Sequence, residues 1–165
     1  MSGPKFVLGI DPGERTGWAT FSYGELVESG VHSLKTSRHE SKGMRFIKLR
    51  ASLTEMLKAY GAAATIVAYE EVRRHNSVDA AHAYGGYVAV IQSVCADMGV
   101  EYLAIPVGTI KKHATGKGNA GKPDMVAAAA KRWPEHEFVD DNEADAAWIA
   151  SAACHELGIK PTGGN

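Results

Sequence analysis

Three acidic residues stand where a sheet protein displays chemistry. Asp11 follows a short apolar run, Phe6-Val7-Leu8-Gly9-Ile10, at the turn signal Asp11-Pro12-Gly13. Glu70 follows a second such run, Thr65 to Tyr69, and Asp145 falls in the first turns of a helix-like stretch that starts at Asn142. The ends of buried strands are rigid and open to one edge of a sheet. Carboxylates gathered there repel one another and need a cation. Hard oxygen donors with open positions suit Mg²⁺ or Mn²⁺. Two such ions ~4 Å apart can hold a phosphate, activate a water and stabilise the leaving oxygen. Each acid alone also has a structural explanation. Asp before Pro-Gly serves turns, and an acid near a helix start serves the dipole. From spacing alone, a carbohydrate or phosphotransfer site fits as well.

The elements that must position these acids follow from hydrophobic periodicity. Phe6 to Ile10 reads as a buried strand. Thr16 to Tyr23 and Leu26 to Leu34 read as two more strands joined by a hairpin turn at Tyr23-Gly24-Glu25. Ser41 to Tyr60 carries Met44, Ile47, Leu53 and Leu57 near helical spacing, and Gly61 ends it. Thr65 to Tyr69 and Glu101 to Val107 are further strands. Between them, Ser77 to Met98 reads as a long helix interrupted at Gly85-Gly86. Gly108 to Asn119 mixes a short helix with a Gly/Lys loop. Lys122 to Trp133 is helical with Pro123 in its first turn, and Asn142 to Leu157 is a final helix. Three consecutive strands predict an antiparallel meander, and the later alternation predicts parallel additions to the same sheet. The expected class is α/β, a mixed central sheet flanked by helices. Asp11 and Glu70 meet only if the first and fourth strands are neighbours.

The 165 residues suit one domain, expected over residues 1–160, with a frayed tail over 161–165. Hydrophobic content of 45% is that of an ordinary globular core. Cys95 and Cys154 lack metal or redox spacing and read as buried thiols in a reducing compartment. Residues Met1 to Lys5 carry no apolar leader, and no window is long enough to span a bilayer. The expectation is a cytoplasmic protein without a membrane partner. Net charge is −1, so any affinity for nucleic acid must come from local charge. One basic segment holds Lys35, Arg38, Lys42, Arg45, Lys48 and Arg50 against Glu40 alone. Another holds Lys111, Lys112, Lys117 and Lys122 with no acid. Lysines that hold phosphates beside carboxylates that hold metal are what a metal-dependent nuclease needs.

The local spelling narrows the choice. Gly9-Ile10-Asp11-Pro12-Gly13, followed by Thr16-Gly17-Trp18-Ala19, resembles the first motif of the RuvC family of Holliday-junction resolvases. Tyr69-Glu70-Glu71-Val72 resembles the second, and Asn142-Glu143-Ala144-Asp145-Ala146 the last. Ile110-Lys111 through Gly116-Lys117-Gly118-Asn119-Ala120-Gly121-Lys122 resembles the family's basic loop. The four blocks occur in order along most of the chain, and the divergent spelling looks most like a phage-encoded member.

The resemblance implies an RNase H-like fold, a homodimer, and a Mg²⁺-dependent endonuclease in which Mn²⁺ substitutes. It implies two ions per active site and paired cuts in branched DNA that leave 5′-phosphate and 3′-hydroxyl ends. Asp11, Glu70 and Asp145 match its metal-binding acids, and Lys111 and Lys122 its catalytic lysines. The helix Ser77–Met98, with its small residues, is the expected dimer surface.

Two departures stand out. Where the family often has Asp or His, three residues before the last acid, this chain has Asn142. Asp141, four residues before Asp145, faces the same side of a helix and can supply the missing charge. The fourth metal ligand is therefore Asn142, Asp141 or both. After Glu70, where the family carries wedging aromatics, this chain reads Arg73-Arg74-His75. Guanidinium groups stack on bases as well as bind phosphate. The expected DNA track comprises Arg73, Arg74, Lys111, Lys112, Lys117 and Lys122, extended by Lys42 and Arg45. The alternatives are a broader flap and fork nuclease, an RNA–DNA hybrid nuclease, and a catalytically weak junction-binding protein. An actin-like ATPase wants a second phosphate loop, which is not found.

Overall fold

The computed structural model describes residues 3–161, so residues 162–165 of the expected tail lie outside the described residues. The strands β1 (Phe6–Asp11), β2 (Arg15–Ser22) and β3 (Glu25–Ser33) form the antiparallel meander. Helix α1 (Met44–Tyr60) and a single 3₁₀ turn at Ala62–Ala64 lead to β4 (Thr65–Glu71). Helix α2 (Val78–Met98) then leads to β5 (Glu101–Pro106). Among the described residues three helices follow: α3 (Val107–Thr115), α4 (Lys122–Arg132) and α5 (Asp141–Glu156). The sheet order is β3-β2-β1-β4-β5, with β4 parallel to both β1 and β5. The first and fourth strands are neighbours, as the acids require.

The strand period of two assigns each residue to a face. On β1, Leu8 and Ile10 join the core under α1 and α2, whereas Val7 joins the core under α5. Gly9 and Asp11 therefore face α5. On β4, Val67 and Tyr69 face α1 and α2, and Ala68 faces α5. Glu70 thus shares its face with Asp11. A slip of one residue in either strand would send its acid to the opposite side. Leu8, Ile10, Leu53 and Val67 are fully buried, and each contributes roughly 2 kcal/mol toward holding that register.

Helix α5 approaches the sheet unusually closely because both surfaces are small. Its buried positions include Ala144, Ala146, Ala147, Ala150 and Ala153. Opposite them, a Cβ on Gly9 would sit 2.4 Å from the Ala146 carbonyl oxygen and 2.7 Å from the Ala150 nitrogen. A Cβ on Gly17 would sit 1.9 Å from the Asn142 carbonyl oxygen. Helix backbone rests on strand backbone at these two points. The N-terminus of α5 is held by Asp140, which accepts from the Glu143 N–H at 3.0 Å and pairs with Arg15 of β2 at 2.9 Å.

The predicted interruption at Gly85-Gly86 does not occur. Helix α2 is continuous from Val78 to Met98, capped by the Ser77 hydroxyl on the Ala80 N–H at 3.0 Å and ended by left-handed Gly99. Gly86 serves packing instead. A Cβ there would lie 2.6 Å from the Phe46 ring of α1. The two cysteines are buried and unpaired, as read from the sequence. Among the described residues no helix is long and apolar enough to cross a membrane.

Gly9→Ala drives a methyl into the α5 backbone, which has no flexible end to yield. The expected cost is ~3 kcal/mol or more of stability, read as a lowered midpoint of urea unfolding. Wild-type stability in that variant would show that α5 does not sit on the strand backbone.

Candidate active site

Asp11 and Glu70 end adjacent strands on the same face, and Asp145 lies one turn into α5, directly over that edge. The three carboxylates feel one another. Asp11 retains some accessible surface, yet protein surrounds most of it. Burial, and then the charges of Asp145, Glu70 and Asp141, raise its pKa well above the usual carboxylate range. Burial and Asp145 push Glu70 up as well. Burial and the neighbouring Asp141 push Asp145 up to about 6. Among the described residues nothing neutralises this cluster. Lys122 offsets the charge at Asp11 and Asp145, and Lys111 offsets it at Glu70 and Asp145, but neither reverses the shift.

Among the described residues no three His, Cys, Asp or Glu side chains are drawn into a ready-made metal cluster. The donor set still fits a divalent metal. It is all oxygen, it sits on two rigid strand ends and one helix, and its raised pKa values mark anions waiting for positive charge. It does not fit a softer metal, because both cysteines are buried elsewhere.

Each lysine is placed by its own helix. Helix α3 starts at the end of β5, and buried Ile110 fixes half-buried Lys111 beside Glu70. Lys122 opens α4, which the Trp148 indole N–H ties to α5 through the Met125 carbonyl at 3.2 Å. The Lys122 ammonium donates to Asp141 at the start of α5, which holds Asp141 below the usual range and raises Lys122. Of the two candidates for a fourth ligand, Asp141 is the one whose charge reaches Asp11 and Asp145. The Asn142 amide instead donates to Asp140 at 3.4 Å.

The remaining residues of the expected DNA track do not all lie together. Lys112 and Lys117 are exposed on α3 and in the loop after it. Arg73 and Arg74 are exposed just beyond Glu70, with Arg73 within 3.4 Å of Glu71. Lys42 is exposed ahead of α1, a helix packed on the sheet face opposite α5. Arg45 lies over the rings of Phe46 and Tyr87, at 4.7 and 5.8 Å from their centroids, and so packs α1 on α2. Thr16 is buried and donates to the Gly13 carbonyl at 2.8 Å, holding the turn after Asp11. His113 bonds Ser151 at 2.8 Å and lines a cavity of about 610 Å³ beside the C-terminal half of α5, a cavity that none of the three acids lines.

Sequence reasoning missed three supporting residues. Asp140 and Glu143 anchor the start of α5. Glu143 is buried and accepts from the Val139 N–H at 2.6 Å and the Ser29 hydroxyl at 2.7 Å. The spacing Asp140-x-x-Glu143 is a helix-start signal and pointed to this. Tyr84, which bonds the Glu70 backbone, has no such signal.

A mixed sheet of this order, with acids at the ends of its two central strands and a third on the last helix, has the RNase H-like architecture of metal-dependent nucleases. The chain belongs to the RuvC family: residues 7–155 match the family described as crossover junction endodeoxyribonuclease RuvC. A crossover junction endodeoxyribonuclease RuvC from Gluconobacter oxydans is 30% identical over 155 residues, covering 90% of this chain and 88% of that protein. The structure of Thermus thermophilus RuvC superposes with a TM-score of 0.75 at 23% identity, covering 93% of this chain and 97% of the other. The same protein in complex with Holliday junction substrate gives 0.78 at 23% identity, covering 94% and 97%. Nucleases of this family use divalent metals.

The raised carboxylates predict an inverted pH response. A carboxyl whose folded pKa exceeds its unfolded value stabilises the fold when protonated, and that contribution is lost as pH rises through the folded pKa. For Asp145 the window runs from about 4, the unfolded value, to about 6. In EDTA, Asp145→Asn should melt above wild type at pH 7.5, with the gap closing as pH falls through this window. A gap that is absent, or that widens on acidification, would contradict the shift.

Proposed function

We propose that this chain resolves Holliday junctions by paired hydrolysis of phosphodiester bonds, as a Mg²⁺-dependent, structure-selective DNA endonuclease. One observation carries the reading: Asp11, Glu70 and Asp145 gather at one end of the sheet, with raised pKa values and two lysines beside them. Two Mg²⁺ ions, or Mn²⁺ in their place, would polarise the scissile phosphate and lower the pKa of the attacking water. The residues of the chain do the rest. Asp11, Glu70 and Asp145 would hold the metal, with Asp141, Asn142 or both as the fourth ligand. Lys111, half-buried beside Glu70, holds the scissile phosphate against the acids. Lys122 exchanges its partner Asp141 for a phosphate oxygen when DNA arrives, which frees the Asp141 carboxylate for metal. The products carry 5′-phosphate and 3′-hydroxyl ends.

Arg73, Arg74, Lys112 and Lys117 extend the phosphate track beyond the acids, whereas Arg45, stacked on Phe46 and Tyr87, does not join it. Affinity should therefore fall steeply with salt. Symmetric cuts require two sites, and α2 offers a surface for a homodimer. One side of this helix buries Tyr87, Ile91, Val94 and Cys95, while Gly85, Ala89, Ser93 and Ala96 are exposed on the other at near-helical spacing. Small residues let a second helix approach closely. We read residues 1–160 as one nuclease domain acting on DNA in the cytoplasm, that of the host if the chain is phage-encoded.

The test is incubation of a fixed four-way junction with Mg²⁺ beside a matched linear duplex, for wild type and Asp11→Asn. The expected result is paired, symmetric nicks in the junction only, and intact junction binding without cleavage in the variant. Equal cutting of flaps and forks would replace the junction-specific reading with a general debranching nuclease. Tight junction binding with no cutting in either Mg²⁺ or Mn²⁺ would leave a binding protein.

A further inference from the structure

At the end of β4 the backbone runs out of sheet partners. The register with β1 stops at Ile10 opposite Tyr69. On the other side, the residue opposite Glu71 is Pro106, which has no N–H to offer. Tyr84 of α2 takes over here. Its hydroxyl donates to the Glu70 carbonyl at 2.6 Å and accepts from the Val72 N–H at 3.1 Å. One phenol thus clasps the main chain on both sides of Glu71. Its ring lies against His75, with centroids 5.0 Å apart. His75 directly follows the exposed Arg73 and Arg74. Further along α2, Gln92 donates to the Tyr69 hydroxyl at 2.8 Å, so the helix grips β4 at a second point before Glu70.

We propose that Tyr84 is a positioning residue for Glu70: its hydroxyl sets the backbone from which the metal-binding carboxylate projects. The role of Glu70 as a metal ligand rests on the proposed function. A carboxylate that shares a cation with two others must be held within about 0.5 Å. The β1 ladder gives that precision up to Tyr69 and the β5 ladder up to Glu71, and the Tyr84 hydroxyl adds a second hold on the Glu70 carbonyl and carries it on to Val72, one residue beyond the last pair. Phenylalanine at this position keeps the ring against His75 but leaves the Glu70 carbonyl and the Val72 N–H without their partner. Loss of an outer partner of this kind costs about 10–100-fold in metal affinity or activity.

The experiment compares wild type, Tyr84→Phe and Gln92→Ala in two readouts. The first is Mn²⁺ binding followed by calorimetry. The second is the single-turnover cleavage rate on a fixed four-way junction, with junction affinity measured separately in Ca²⁺. For Tyr84→Phe, the Mn²⁺ Kd should rise about tenfold and the rate should fall by a similar factor. Junction affinity should stay within about twofold of wild type, because the hydroxyl faces the backbone of β4 and not the DNA. Gln92→Ala loosens β4 without touching Glu70 and should leave Mn²⁺ binding unchanged. Wild-type Mn²⁺ affinity in Tyr84→Phe, or an equal loss in Gln92→Ala, would overturn the proposal, as would the absence of any Mn²⁺ site in wild type. If wild type binds Mn²⁺ but cuts no branched DNA, the proposed function falls and the Mn²⁺ contrast between the variants still decides the role of Tyr84.

Discussion

Everything at the site depends on how closely α5 lies on the sheet. Helix and strand backbones approach until only glycine fits, at Gly9 against Ala146 and Ala150 and at Gly17 against Asn142. The contact fixes the height and rotation of the helix, and so delivers Asp145 to an edge where Asp11 and Glu70 already stand. An ordinary packing distance, with side chains between the layers, would lift the third carboxylate away. The run of alanines along α5 and the glycines beneath it are two halves of one interface, and both are spent on placing a charge.

Placing that charge works against the fold. Three carboxylates, two of them at strand ends and all partly desolvated, hold protons more tightly than they would in water. The rest of the molecule compensates. Buried aliphatic side chains lock the register of β1 and β4 from the face opposite the acids. Asp140, Arg15 and Glu143 pin the start of α5 with bonds that lie just outside the acidic cluster. The strain is local and electrostatic, and a divalent cation bound among the three carboxylates would relieve it. Destabilisation confined to the place where chemistry is done is the usual cost of a preorganised site.

Much of this was legible in the sequence because strand period and turn chemistry are local. The meander, the long α2, the final helix and the strand ends at Asp11 and Glu70 all follow from apolar spacing and from Asp-Pro-Gly or glycine stops. The shared face of Asp11 and Glu70 follows once β1 and β4 are adjacent, but adjacency itself is a tertiary fact. Gly85-Gly86 reads as a break because glycine is costly in a helix, and only the Phe46 ring against Gly86 explains its presence. Lys42 and Arg45 look like a DNA track in one dimension, whereas in the fold Arg45 covers two aromatic rings. Tyr84 is unremarkable in its helix, since its partners lie 12 and 14 residues away on another element.

Placing Asp11, Glu70 and Asp145 together serves catalysis only if the three carboxylates share one cation site. Crystals soaked in Mn²⁺ and measured at the manganese absorption edge address this directly. An anomalous peak at carboxylate-ligand distance from Asp11, and from Glu70 or Asp145, is the predicted result. Peaks only at other positions, such as His113 and His155, with the acids left apart, would contradict it.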